Sequence, residues 1–276
     1  MKEITLHELI NLLKNHHPAV HCEGRRNYSY WYAGENTTVK CFLTDGCAVL
    51  YDAHTHYADP EKYRVYCHIH EVSDKCDPME VFRKFKEMSD NAIKEHSNYS
   101  RDIELFHCGP LSDRLNEFYG FYKFTRMGEV FPSDPHISQL TRDNIEEIQV
   151  ICDPANLESD VSFGKCEAET FRDWDFDWHE KEGTHLLGYR DENGTLVGIT
   201  SWVAVDDLNL GFLLDLFVAP SGRRQGIGKA LVRGAISNLP DREWLYQAVC
   251  DNVPSIRLAN TLGFTLTGSN LFVLSD

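Results

Sequence analysis

Hydrophobic and polar positions in the second half of the chain predict a mixed sheet flanked by helices. Apolar runs and alternating positions predict strands, and turn signals such as Glu192-Asn193-Gly194 bound them. The expected strands are His136–Leu140, Thr184–Arg190, Thr195–Val205, Gly211–Val218, Glu243–Cys250 and a closing hairpin of Phe264–Thr267 with Leu271–Leu274. The expected helices run from Thr141 or Asp143 to Gln149, from Lys229 to Asn238 and from Pro254 to Leu262, with Gly263 as the C-cap.

The first half shows a weaker version of the same order. We expect helices over Leu6–Asn15, Pro78–His96 and Leu111–Phe121, and strands over Asn27–Ala33, Thr38–Leu43, Cys47–Ala53, Lys62–Val72 and Ile103–His107. Both halves end strand–helix–strand–helix–strand, which predicts an α/β (α+β) fold, with a mixed, mostly antiparallel central sheet, in tandem. Two prolines near residue 134 break helix and sheet, so we predict domains over residues 1–134 and 135–276.

The size and charge of the chain argue against several classes of function. The 276 residues suit two compact domains, and no run approaches the roughly 18 apolar residues of a membrane span. A net charge of −16 disfavours nucleic acid and anionic lipid as partners and steers cationic ligands inward. Nine scattered cysteines without a C-x-x-C pair, and no signal peptide, favour reduced thiols in the cytoplasm.

A basic, glycine-rich turn follows the apolar strand that ends at Val218. Gly226 and Gly228 let backbone amides approach a ligand at the start of a helix, where free N–H groups and the helix dipole favour an anion. Arg223, Arg224 and Lys229 add positive charge, so the turn is typical of a pyrophosphate site. The P-loop pattern fails because Ala230 follows Lys229, and the dinucleotide pattern fails because residue 231 is leucine.

Two motifs at this spacing resemble the GNAT superfamily of acyl-CoA-dependent N-acyltransferases. The V-x-P-x-x-R-x-x-G-x-G element matches at Val218, Pro220, Arg223, Gly226 and Gly228, and the second element matches at Asn252, Ser255, Leu258, Gly263 and Phe264. Asp215–Val218 and Asn252–Ile256 look most like diamine and thialysine N-acetyltransferases. The resemblance implies a GNAT fold over residues 136–276 and transfer of an acetyl group from acetyl-CoA to a small cationic amine or an amino acid, by direct attack in a ternary complex.

The resemblance also implies a set of residues that bind acetyl-CoA. The backbone of the strand would pair with the pantetheine arm, the amides of the turn would hold the pyrophosphate, and two residues of the second motif would contact the distal arm. These residues are Leu216, Phe217, Val218, Arg223, Arg224, Gln225, Gly226, Ile227, Gly228, Lys229, Asn252 and Ser255.

The chain departs from the family at two positions. The family's frequent tyrosine falls at Ala259, and the glutamate of the polyamine-type enzymes falls at Leu214. An amine must lose a proton before it attacks, so Asp215 is the expected base, with a buried structural carboxylate as the alternative interpretation. Tyr246 is the expected acid for the departing thiolate, with Cys250 as a second candidate; either could instead be a core residue.

Aromatic and acidic residues alternate over residues 171–180, and such a surface attracts organic ammonium groups. Trp174, Asp175 and Trp178 are therefore expected to bind the acceptor, unless the segment packs its aromatic rings inward. Two histidine pairs in the first half, His54 with His56 and His68 with His70, could bind zinc if they faced each other, but no metal is expected.

The first half contains no G-x-G where its phosphate turn would fall, between Ser73 and Met79, so we expect it to have lost CoA binding. A degenerate first half is also similar to glycine N-acyltransferase-like enzymes, which would imply a longer acyl-CoA. A non-catalytic acyl-CoA-binding protein is the other alternative, favoured by Leu214 and Ala259. The expected partners are a small-molecule amine and a second copy of the chain in a homodimer, with neither nucleic acid nor membrane.

Overall fold

A computed structural model describes residues 1–16, 39–55, 63–73, 77–107, 117–125, 128–152, 183–249 and 252–274. The chain divides into two compact units. Unit 1 comprises Met1–Tyr122, Ala248–Val253 and Leu266–Asp276, and unit 2 comprises Lys123–Gln247 and Pro254–Thr265. The two ends of the chain therefore belong to the same unit. The division of the chain into domains at residues 134 and 135 stays a prediction.

Both units are built from strands and helices. The strands are β1 (Lys2–Ile4), β2 (Lys40–Leu43), β3 (Cys47–Thr55), β4 (Tyr63–Glu71), β5 (Tyr99–His107), β6 (Glu117–Phe124), β7 (Ile137–Gln139), β8 (His185–Arg190), β9 (Leu196–Val205), β10 (Leu210–Val218), β11 (Glu243–Val249) and β12 (Thr265–Leu274). The helices are α1 (Leu6–His16), α2 (Pro78–Ile93), α3 (Ile227–Asn238) and α4 (Val253–Leu262), with a further helical segment over residues 145–152.

The sheet of unit 1 has the order β1-β2-β3-β4-β5-β12-β6. Its β4 and β5 are parallel, whereas β1–β4 pair antiparallel in succession and β12 is antiparallel to β5. Helix α1 packs Leu9 and Leu13 with Leu50 of β3, and α2 packs Phe85 on the other side of the same strand. The apolar residues of β3 alternate between these two clusters, as the period of a strand requires.

The sheet of unit 2 has the order β7-β8-β9-β10-β11, with β10 and β11 parallel and the other neighbours antiparallel. On one face, Ile148 and Ile151 of the segment 145–152 pack with Ile199 of β9. On the other face, a Cβ at Gly198 of β9 would lie 3.1 Å from the side chain of Leu231 of α3. Both units thus contain the mixed, mostly antiparallel sheet flanked by helices that the sequence predicts.

Two predicted elements were wrong, and one strand was missed. The expected closing hairpin is one continuous strand, β12, because Ser269–Leu274 pair with β5 without a turn. Residues 117–121, expected in a helix, lie in β6, since the aromatic residues around Gly120 favour a strand. The short β1 was missed because three residues carry too little periodicity. The strand expected at residues 27–33 lies outside the described residues.

No helix in the described ranges is long and apolar enough to cross a bilayer. Four cysteines are buried in the core, namely Cys41, Cys47, Cys67 and Cys152. Burial raises the pKa of the Cys41 thiol to about 12, so this thiol stays protonated at neutral pH.

An ion pair connects the segment 145–152 to the C-terminal end of β8. Two nitrogens of Arg190 donate to the two carboxylate oxygens of Glu147, each at 2.7 Å, and Arg190 also donates to the carbonyl of Gly194 at 2.9 Å. Hydrogen bonds from Arg190, and then from Asn144, lower the pKa of Glu147 to about 2. The bidentate geometry makes this pair stronger than an ordinary surface ion pair.

Residues 266–276 are expected to be essential for unit 1, because β12 lies between β5 and β6. Deleting them creates two open strand edges and removes ladder hydrogen bonds that contribute about 1 kcal/mol each. We expect the deletion to lower the urea midpoint far more than deletion of residues 1–4, which removes only the edge strand β1. Circular dichroism during urea unfolding measures both; equal midpoints would contradict the placement of β12.

The Glu147–Arg190 pair is expected to stabilise the fold only above acidic pH. The folded pKa of Glu147 lies below its ordinary value of 4.5, so its contribution is complete above about pH 5 and is lost as the pH falls towards 2. Because the carboxylate is half exposed, we expect Glu147→Gln to cost about 1 kcal/mol at pH 7. Urea titrations of both proteins from pH 7 to pH 3 check this; a difference that does not shrink with acid would contradict it.

Candidate functional site

The parallel strands of unit 2 separate part of the way along their length. Leu210–Leu213 pair with Glu243–Tyr246, and the register between β10 and β11 ends at the Leu213–Tyr246 pair although β10 runs on to Val218. The register between β9 and β10 shifts between Leu213 and Asp215, which leaves Leu214 as an extra residue. Such a bulge bends its strand and increases the twist. The result is a wedge between β10 and β11, beyond Leu213.

Residues Leu216–Val218 line this wedge with their backbone. They pair with Thr200, Ile199 and Gly198 of β9 on one side. Because Ala219 donates to Val197, the alternation of an antiparallel ladder turns the backbone groups of Leu216 and Val218 to the opening and those of Phe217 to β9. A Cβ at Gly228 of α3 would lie 3.7 Å from the side chain of Leu216 and 3.8 Å from that of Val218. The side chains of these two residues therefore point to the face that carries α3, and Phe217 packs into the core on the opposite face. The strand is held by packing on both faces while its edge is available to a ligand.

The turn after β10 is braced by its own backbone. Ala219 donates to the carbonyl of Val197 at 2.9 Å, and Gly222 donates to the carbonyl of Ala219 at 2.8 Å. A Cβ at Gly222 would lie 2.9 Å from the end of the Ile227 side chain, so a larger residue there would have to displace that side chain. Arg223 Nε donates to the carbonyl of Val218 at 3.3 Å, so this arginine also contributes to the shape of the turn.

The start of α3 presents a group of backbone amides, here called the cradle, in an arrangement that suits an anion. The amide of Ala230 makes the first helical bond, to the carbonyl of Gly226 at 3.0 Å, so the amides of Ile227, Gly228 and Lys229 have no acceptor within the helix. Arg224 and Gly226 have positive φ, 65° and 84°. Left-handed backbone of this kind turns successive N–H groups towards one point, as in anion-binding nests. A Cβ at Gly226 would meet nothing within 4 Å, so the cradle is open.

Asp215 lies on the other face of the sheet, immediately after the bulge. Ser201 Oγ donates to Asp215 Oδ2 at 2.5 Å, the amide of Asp215 donates to Ser201 Oγ at 3.1 Å, and Thr200 Oγ1 donates to the carbonyl of Asp215 at 2.8 Å. Sequence reasoning missed Ser201 and Thr200, because only the strand register brings them to Asp215.

Tyr246 lies on the α3 face, at the last residue of the parallel pairing. Its hydroxyl shares a hydrogen bond with Ser255 of α4, and its ring lies 5.8 Å from that of Phe264. Ala259, where the family often has tyrosine, is buried one helical turn after Ser255. The structure therefore brings the predicted acid to one of the predicted CoA-contacting residues, near the position where the usual acid is missing.

The structure does not show the other predicted site residues at the wedge. Trp174, Asp175 and Trp178 lie outside the described residues, as do His56 and Cys250. Asn252 directly precedes α4 in the chain. His54 pairs with Arg64 and His68 pairs with Leu50, so the register does not place those two histidines opposite each other. No metal-binding cluster occurs among the residues that the structure describes. Burial lowers the pKa of His68 to about 4, which keeps it neutral at pH 7.

The parallel pair of unit 1 has no comparable opening. Residues 63–70 of β4 pair with residues 99–106 of β5 without interruption, whereas the pairing in unit 2 stops after four residues. The ring of His70 stacks on Phe106 at 4.7 Å across this closed pair. Unit 1 therefore lacks, in its described residues, the wedge that unit 2 has between β10 and β11.

A sequence model of the Acetyltransferase (GNAT) family matches residues 143–264, which include the wedge, the cradle and Tyr246. The fold is similar to that of a GCN5-related N-acetyltransferase from Sphaerobacter thermophilus, with 12% identity, 88% of this chain and 83% of that chain covered, and a TM-score of 0.52. It is also similar to that of a Drosophila protein with 11% identity, coverage of 99% and 98%, and a TM-score of 0.53. No curated protein matches the sequence significantly. The family model confirms the resemblance of the second half, and the structures show a shared fold.

Proposed function

Because residues 143–264 match the model of the Acetyltransferase (GNAT) family, we propose that the protein transfers an acetyl group from acetyl-CoA to the primary amine of a small cationic molecule or an amino acid. The observation that carries this proposal is the wedge after Leu213, which opens beside the anion cradle at the start of α3. An acyl thioester on a long polar arm that ends in a pyrophosphate fits these two features together.

The backbone of β10 and the cradle would position acetyl-CoA. Leu216–Val218 would pair with the amides of the pantetheine arm as an added strand does, and the amides from Arg224 to Lys229 would hold the pyrophosphate. A backbone N–H at the wedge would polarise the thioester carbonyl as an oxyanion donor does. Gln225 and Arg223 would support the turn, since Gln225 Nε2 donates to the carbonyl of Ser221 at 2.8 Å. Ser255 and Asn252 would contact the rest of the CoA arm.

Asp215 and Tyr246 would handle protons on opposite faces of the sheet. Asp215 would accept a proton from the ammonium group, since the two oxygens of a carboxylate can accept more than the one hydrogen bond that Ser201 donates. The neutral amine would then attack the thioester carbon; a C–N bond forms, the C–S bond breaks, and the nitrogen releases its second proton to solvent. Tyr246 would give its phenolic proton to the departing sulfur and recover one from solvent, relayed by the hydroxyl of Ser255. Separate faces keep the base away from the thiolate that must be protonated.

The chain's net charge of −16 supports a cationic acceptor, because an acidic surface raises the local concentration of ammonium ions. Trp174, Asp175 and Trp178 are the residues that we propose to bind it, through ring faces and a carboxylate. Unit 1, with its closed parallel pair, would not bind a second acetyl-CoA in the same way. The proposed partner is a small amine. The proposed enzyme is cytoplasmic and could also form a homodimer.

Gly226→Trp is expected to abolish acetyl-CoA binding, because the side chain would fill the cradle. The matched control is Gly194→Trp, since Gly194 has a similar φ of 79° and equal space around it but lies in the turn between β8 and β9. Both variants carry the same left-handed strain, of about 1–2 kcal/mol. Titration calorimetry with acetyl-CoA measures binding, and saturation at 100 Kd should stabilise wild type and control by about 2.7 kcal/mol.

Binding that survives in Gly226→Trp would place the acetyl-CoA site elsewhere. Tighter binding of long acyl-CoAs than of acetyl-CoA would favour the glycine N-acyltransferase-like alternative. Binding with no transfer to any of a panel of diamines, amino acids and aminoalkyl thioethers would favour a non-catalytic protein, as Leu214 and Ala259 suggest.

Tyr246→Phe is expected to lower kcat by about 100-fold, because general acid catalysis typically contributes 10²–10⁴. The Kd for acetyl-CoA should stay the same, since the ring and its packing remain. Tyr189→Phe, which removes a hydroxyl from β8, is the control and should keep the kcat of wild type. Steady-state assays of free thiol release measure this; an unchanged kcat in Tyr246→Phe would make Tyr246 a core residue only.

A further inference from the structure

Two consecutive hydroxyl residues of β9 hold Asp215 from both faces of the sheet. Thr200 and Ser201, which we call the hydroxyl clasp, are both fully buried. Thr200 donates to the Asp215 carbonyl at 2.8 Å on the α3 face, and Ser201 bonds to the Asp215 amide and carboxylate on the opposite face. Three hydrogen bonds thus converge on one residue, next to the bulge.

The bonds of Ser201 form a closed ring. Its oxygen accepts from the Asp215 amide at 3.1 Å, and the same hydroxyl donates to Asp215 Oδ2 at 2.5 Å. The ring therefore ties the carboxylate to its own backbone and selects one side-chain rotamer of Asp215. A hydrogen bond to a carboxylate is charge-assisted and is shorter and stronger than a neutral one.

The bulge explains why this restraint is needed. The pairing of β10 with β11 ends at Leu213, and the register with β9 shifts before Asp215, so the regular ladder does not fix the backbone there. Buried hydroxyls must find partners, and the backbone of Asp215 supplies them. The clasp fixes the residue at the point where the two strands separate.

We propose that Ser201 is a positioning residue for Asp215, and this inference rests on the proposed function because it assumes that Asp215 accepts the proton of the amine. Ser201 keeps its own proton throughout, and no bond to it forms or breaks. Its role is to hold the carboxylate at a fixed place beside the wedge, in one rotamer.

Ser201→Ala is expected to lower kcat by about 10- to 100-fold while the Kd for acetyl-CoA changes less than about twofold, since positioning is part of the rate that a general base supplies. Asp215→Asn gives the reduction in kcat that follows when the base is removed entirely. Ser201→Cys keeps the shape with a weak donor and should fall between wild type and Ser201→Ala, and Ser201→Thr, which retains the hydroxyl, should restore most of the rate.

The matched control is Ser89→Ala. Ser89 is also fully buried, and its hydroxyl donates to the carbonyl of Phe85 at 2.8 Å in α2 of unit 1. Loss of the Ser89 hydroxyl removes one buried hydrogen bond and should lower the free energy of unfolding, with no change in kcat. A general structural effect would lower the rates of the Ser89 and Ser201 variants alike.

A second readout needs no turnover. Ser201→Ala removes the acceptor of the Asp215 amide, so hydrogen exchange at that amide, followed by NMR, should become at least about tenfold faster, while the amide of Phe217 in the same strand is unchanged. Faster exchange together with a lower kcat and an unchanged Kd supports the proposal. Unchanged exchange overturns the clasp, and faster exchange with an unchanged kcat overturns the positioning role. A wild type that binds acetyl-CoA but transfers nothing overturns the proposed function instead.

Discussion

The end of the parallel pairing between β10 and β11 is the constraint on which the rest of unit 2 depends. A parallel sheet normally satisfies its backbone groups between neighbouring strands, and here the pairing stops at Leu213 and Tyr246. The extra residue Leu214 bends β10, and the core packing of Phe217 on one face and of α3 on the other holds the bent strand in place. Backbone groups that would otherwise complete a ladder become available to an extended ligand. The wedge is therefore a built feature of the strand, and the anion cradle of α3 follows it along the chain.

The two units show what the wedge adds to a shared architecture. Each has a parallel strand pair within a mostly antiparallel sheet and a helix on each face. In unit 1 the pair is closed over eight residues and the rings of His70 and Phe106 stack across it. In unit 2 the pair opens after four. The parallel pair is thus open in one unit and a continuous ladder in the other, and the open pair lies beside the single extra residue Leu214.

Most of unit 2 could be predicted from the sequence because its signals are local. The Glu192-Asn193-Gly194 turn marks the hairpin of β8 and β9, and Gly226 and Gly228 mark the start of α3 within a few positions of each other. The hydroxyl clasp could not be predicted, because Ser201 and Asp215 are 14 residues apart and meet only through a register that the bulge shifts. The place of β12 in unit 1 was missed for a similar reason: its partner, β5, lies far away in the sequence. Residues 117–121 were predicted in a helix because closely spaced aromatic residues fit both the helical and the strand period.

The most direct test of the wedge is hydrogen exchange of the backbone amides with and without saturating acetyl-CoA. If an extended ligand pairs with β10, exchange should slow at the amides of Leu216 and Val218, which face the wedge, and at the amides from Arg224 to Lys229. The amides of β4 in unit 1 should not change, because their strand is already paired on both sides. Saturable binding without slower exchange in β10, or with slower exchange in β4, would contradict this account.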